Sequence, residues 1–141
     1  MTDPEGTRRG DGEGPPLPEG AGATEVYDLF RRGSALLASR DFAAATVPLE
    51  RARRLEPDKA SIREALGRAY FHAGRYAAAR EEFAAVVERS PVNDFAHFCL
   101  GRALTLCGDR ARARRHLAIA ANLRPERRDY RIYRERASRR G

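Results

Sequence analysis

The chain has 141 residues, 42% hydrophobic and 33% charged, with a net charge of +7, which suits one small soluble domain. No apolar run approaches the ~20 residues of a membrane span. Met1–Gly6 has no basic region leading into an apolar core, so no signal peptide is expected and the cytoplasm is the expected location. Two cysteines fit a reducing compartment. Cys99 and Cys107 lie on one predicted helix, about 12 Å apart at 1.5 Å per residue, too far to pair with each other.

Residues 1–23 carry Pro4, Pro15, Pro16 and Pro18 among six glycines, with Leu17 the only large apolar residue after Met1. Such a segment buries too little to offset its ordering entropy and reads as a disordered tail. Its net charge is −3. From Thr24, a plausible N-cap, Val26, Leu29, Phe30, Gly33, Leu36 and Leu37 form one helical face. A second face runs Phe42, Ala45, Leu49, Ala52, Leu55 and closes at Pro57. Pro48 lies inside this second helix and predicts a bend. The next pair is Ile62, Leu66, Ala69, Tyr70, Ala73, then Gly74 as turn, then Tyr76, Ala79, Phe83, Val86, Val87 up to Pro91. Asp58 or Ser61 can cap it, and Ser61–Glu64 has capping-box spacing. The third pair is Ala96, Leu100, Ala103, Leu104, Cys107, turning at Gly108-Asp109 into Ala113, Leu117, Ala120, Leu123 and ending at Pro125. Residues 126–141 hold seven arginines, with Tyr130, Tyr133 and Ala137 as a narrow apolar stripe that suits one last helix.

These pairs are copies of one another. Gly33, Gly67 and Gly101 recur every 34 residues, as do Ala45, Ala79 and Ala113, then Leu49, Phe83 and Leu117, and Pro57, Pro91 and Pro125. A fixed period of this size marks a repeat array. On these residues the chain resembles the tetratricopeptide repeat family, whose units are helix–turn–helix. The resemblance covers Thr24 to Pro125. It implies an all-α, right-handed solenoid of helical hairpins, with three repeats at 26–59, 60–93 and 94–127. A basic capping helix is expected over 126–141, after the disordered tail of 1–23. The glycines should let the first helix of each unit approach the alanines of the second, while Leu49, Phe83 and Leu117 fill between units. The family's aromatic slot holds Leu29, Arg63 and His97 here. Arg32 replaces a leucine, and Arg110 stands where Phe42 and Tyr76 do.

In proteins this array resembles, first helices line a concave groove that receives a peptide or protein. That face here carries Tyr27, Phe30, Ser34, Glu64, Arg68, Phe71, Phe95, Phe98 and Arg102. Phe30, Phe71, Phe95 and Phe98 are read as exposed aromatics not needed for packing, and with the two arginines they have hot-spot composition. Some relatives grip a terminal carboxylate with Lys and Asn. The matching places hold Phe30, Ser34, Ala65, Phe95 and Cys99, so that clamp is lacking and an apolar segment with an acidic residue is the expected partner. The alternative reading is RNA or DNA binding by an Arg-rich surface of Arg112, Arg114, Arg115 and the C-terminal arginines, without any per-repeat base code. Self-association through the edge of the first unit is a third reading. His72, His97 and His116 fall on different helices, and no phosphate loop, HExxH or CxxC occurs, so neither enzyme activity, cofactor nor metal is expected.

Overall fold

A computed structural model describes residues 19–140, and the side chains of 22–139. Residues 1–18, most of the segment read as a disordered tail, lie outside the described residues. Seven helices follow in order: α1 (Glu19–Ala38), α2 (Phe42–Leu55), α3 (Ala60–His72), α4 (Tyr76–Arg89), α5 (Asp94–Leu106), α6 (Arg110–Leu123) and α7 (Arg128–Arg140). No strand occurs among the described residues. Each helix packs on the next, and α1 also reaches α3, giving a solenoid of hairpins α1–α2, α3–α4 and α5–α6 closed over by α7.

The start of α1 departs from expectation. Helix begins at Glu19, inside the segment read as tail, and Thr24 sits within α1 rather than capping it. The caps of α3 also differ. Its N-cap is Lys59 without a side-chain bond, so neither Asp58 nor Ser61 serves. α5 and α6 are capped by side chains instead. Asn93 accepts from the Ala96 amide at 3.0 Å and Asp109 from the Arg112 amide at 3.2 Å. α2 continues unbroken from Phe42 through Pro48 to Leu55.

The turn within each hairpin is built alike. The amides of Asp41, Arg75 and Asp109 bond back to the carbonyls of Leu36, Tyr70 and Leu104, as in a Schellman cap. That geometry needs positive φ at the preceding residue. Gly74 and Gly108 supply it at 84° and 89°. In the first hairpin Arg40 must adopt 63°, a conformation that crowds any side chain.

The core refines the expected glycine packing. A Cβ on Gly67 would stand 2.7 Å from the Phe83 ring, and one on Gly101 2.6 Å from Leu117 Cγ; Gly33 is pressed in the same way by Leu49. The large residues therefore occupy the glycine notch of their own hairpin, rather than filling only between units. Leu49 and Phe83 go on to join the central cluster with Leu66, Tyr70, Leu100 and Leu104. Ala45, Ala79 and Ala113 are buried beside them.

α7 takes the place of a fourth first helix. Tyr130 is fully buried against Phe98, Leu117, Ala120 and Ala121, and its hydroxyl donates to Asp94 at 2.7 Å. Burial and that carboxylate hold the phenol far above its ordinary pKa. Arg134, Glu135 and Ser138 stand in the register of Leu66, Gly67 and Tyr70, so the side of α7 that would face a following helix is polar.

Candidate functional site

The face carried by the first helices contains a pocket between α3 and α5. Arg68, Phe71 and His72 from α3 line it, with Phe95, Phe98, Cys99 and Arg102 from α5 and Phe83 at its floor. Register explains the convergence. Residues 34 apart occupy equivalent places on successive helices, so Arg68 and Arg102 are stacked along the solenoid, and Phe71 lies one turn on from Arg68.

Five expected groove residues, Arg68, Phe71, Phe95, Phe98 and Arg102, are thus brought together. Their environments differ from expectation. Phe98 is only 7% exposed, its ring 4.7 Å from Tyr130 and 5.2 Å from Tyr133. It is a core residue beneath α7, not a free aromatic. Phe30 and Phe71 are half-buried and pack against the hydrophobic clusters, which also corrects their reading as aromatics spared from packing. Phe95 is half-buried at the pocket wall. Tyr27, 62% exposed, and Phe30 line a separate pocket with Lys59, Ser61 and Ile62. Ser34 joins neither. Glu64 accepts a hydrogen bond from Asn93 Nδ2 at 2.7 Å and so ties α3 to the start of α5.

The pocket is electropositive. Burial lowers the pKa of His72, and Arg102, Arg40 and Arg68 lower it further. The ring stays neutral near pH 7 and stacks on Phe42 at 4.6 Å. Burial pushes the Cys99 thiol up to about 12, with Arg102 and Arg68 only partly offsetting it, so the sulfur is an un-ionised, small apolar surface. Arg102 is the best-positioned group. Its guanidinium lies 4.8 Å from the Phe71 ring centroid and 4.9 Å from that of Tyr133 on α7. Stacking fixes the plane while leaving the N–H edges free. Among the described residues, no carboxylate forms an ion pair with Arg68 or Arg102.

The arginines of the C-terminal segment are not one solvated face. Arg127 forms a two-pronged bond with Asp129, and Arg131 donates to the Pro125 carbonyl at 2.6 Å. Arg136 lies 5.2 Å from the Tyr133 centroid. Two further clusters lie outside the expected site. Glu82, 3% exposed, holds both Arg53 and Arg63 and so joins α2, α3 and α4. His97 and His116 meet with their Nδ1 atoms 3.0 Å apart. One signal could have revealed both: Arg63–Glu82 and His97–His116 share the same 19-residue offset within successive repeats.

Among known families, the tetratricopeptide repeat profile matches residues 30–94. No curated protein sequence matches the chain. Many solved structures do. The first TPR of Spaghetti (RPAP3), bound to an HSP90 peptide, is 15% identical with a TM-score of 0.77, over 82% of this chain and 92% of that one. A MamA structure, MSR-1, is 27% identical at 0.74, over 82% and 66%. The Yersinia enterocolitica type III secretion chaperone SycD, in complex with a peptide of the translocator YopD, is 17% identical at 0.68, over 80% and 86%.

Proposed function

Since the chain belongs to the tetratricopeptide repeat family, we propose that it is a protein–protein interaction scaffold whose concave groove receives a peptide or protein segment. The segment is apolar with acidic residues. Its apolar side chains contact Phe71, Phe95 and the neutral sulfur of Cys99, and its carboxylates meet Arg68 and Arg102. The observation that carries this reading is the pocket itself: two arginines without ion-pair partners among the described residues, over an apolar floor. A carboxylate there gains charge-assisted bonds in a partly desolvated place. The Spaghetti and SycD structures each hold a peptide. Those proteins lend the mode of use and not the ligand, since Phe30, Ser34, Ala65, Phe95 and Cys99 supply no Lys–Asn clamp.

Nucleic acid is the lesser reading. Single-stranded binding uses aromatic faces open to bases, whereas Tyr130 is buried and Tyr133 already carries two guanidinium groups. The test begins with a pull-down from the source cell using wild type beside Phe95→Ala/Arg68→Gln. The captured protein is then titrated against both. The double variant should bind at least about tenfold more weakly, as loss of a hot-spot aromatic implies. Equal affinity would move the site off the groove.

A further inference from the structure

The arginines of the groove continue onto α7. Arg68, Arg102 and Arg136 are each 34 residues apart and occupy one place on α3, α5 and α7. Arg102 reaches the Phe71 and Tyr133 rings, and Arg136 reaches Tyr133 again, at 5.2 Å. The order along the solenoid is therefore Phe71, Arg102, Tyr133, Arg136, an alternation of rings and cations. No carboxylate pairs with any of the three arginines among the described residues. Of the nearby arginines, Arg127, just before α7, pairs with Asp129, and Arg131 on α7 donates to the Pro125 carbonyl. Tyr133 is half-buried against Phe98, which sets the α7 end of this row on the apolar cluster that walls the pocket.

We propose that α7 is part of the binding surface, and that Arg68, Arg102 and Arg136 form a guanidinium ladder for an acidic protein segment presenting one carboxylate to each repeat. The inference rests on the groove reading and adds to it a third rung, from a helix otherwise explained by capping alone. Charge complementarity selects the occupant. Stacked guanidinium groups keep their hydrogen-bonding edges for carboxylates, and the covered Tyr133 ring disfavours a base. The chain also sets a register, because the rungs recur every 34 residues on alternate helices, α3, α5 and α7.

The test uses the full chain and three fluorescent probes: a peptide alternating Leu and Glu, its Leu–Gln counterpart, and oligouridine. The Leu–Glu peptide should bind, with the Leu–Gln peptide weaker. Arg136→Gln should weaken the acidic peptide about two- to fivefold, the scale of an exposed charge pair. Arg134→Gln, the same charge change on the polar outer side of α7, should leave affinity unchanged. Arg68→Gln reports on the groove itself. If Arg68→Gln weakens binding and Arg136→Gln does not, the ladder is overturned and the groove reading stands. If neither does, both fall. Equal effects of Arg134→Gln and Arg136→Gln would reduce the ladder to net charge and overturn it. So would failure of the Leu–Glu peptide to bind, or tighter binding of oligouridine.

Discussion

The second and third repeats place different chemistry at the same pair of positions. In the second, Arg63 on α3 meets Glu82 on α4 at 2.9 Å, and Arg53 completes an ion triad in which Glu82 is buried and both arginines are partly exposed. In the third, His97 on α5 meets His116 on α6. The first repeat puts Leu29 and Pro48 there, both buried. What the polar versions share is a bond to the turn before them. Arg63 donates to the Pro57 carbonyl at 2.6 Å, and His97 Nε2 lies 2.7 Å from that of Pro91. Arg131 repeats the contact on α7. A carbonyl cannot donate, so His97 carries a proton on Nε2, and with that ring neutral its Nδ1 accepts from the Nδ1–H of His116. The first helix after each of these prolines thus supplies a donor to its carbonyl, in α3, α5 and α7, and in the second and third repeats that donor also meets a polar group on the second helix. Charge is free to vary, and with it the response to acid.

The comparison can be broken sterically first. Gly67→Leu would drive a side chain into the Phe83 ring, where even a Cβ stands at 2.7 Å. A loss at or above about 3 kcal/mol is expected in denaturant unfolding followed by circular dichroism. Unchanged stability would contradict the notch packing. Removing the charge of the second repeat comes next. Glu82→Ala leaves Arg53 and Arg63 facing each other and should cost about 3 kcal/mol, the low end for a broken buried pair because both arginines keep some solvent contact. A cost below about 1 kcal/mol would show the triad to be incidental to stability.

Acid should separate the repeats. Burial, His97, Arg115 and Arg112 lower the pKa of His116 to about 4 from an ordinary 6.5. Arg80 and Glu81 of α4 also face it. A histidine whose pKa falls on folding binds its proton more readily in the unfolded chain. Its contribution to stability is full above pH 6.5 and is lost as pH falls toward 4. Melting temperature should fall between pH 7 and 5, and less in His116→Gln, which retains a donor for His97 without titrating. An identical fall in the variant would assign the acid response elsewhere. The smallest effect belongs to the first repeat. Arg40→Gly relieves the positive φ that Gly74 and Gly108 meet without strain. It should stabilise by about 0.5–1 kcal/mol in the same unfolding assay.

Much of the fold was legible because a 34-residue period survives local substitution. Gly67, Ala79 and Phe83 mark the same places as Gly101, Ala113 and Leu117. The start of α1 was not legible, because Gly20 and Gly22 look like breakers and yet stand in helix. The turn at Arg40 was legible from its neighbours' glycines but not from its own residue. For the groove, periodicity put Arg68, Phe71, Phe95 and Arg102 on one face, and the four line one pocket. It failed at Phe98 because exposure there is set by α7, whose docking depends on Tyr130 and Tyr133, a long way along the chain. Side-chain pairs such as Tyr130 with Asp94 leave no mark in hydrophobic spacing.

The central claim is that a partner docks on the face between α3 and α5. Site-specific photo-crosslinking in the source cell tests it most directly. Benzoylphenylalanine replaces Phe95 at the pocket wall in one variant and Val47, 68% exposed on α2, in another. The account predicts a protein adduct from position 95 that an excess of the Leu–Glu peptide suppresses, and none from position 47. An adduct from position 47 with none from position 95 would contradict it.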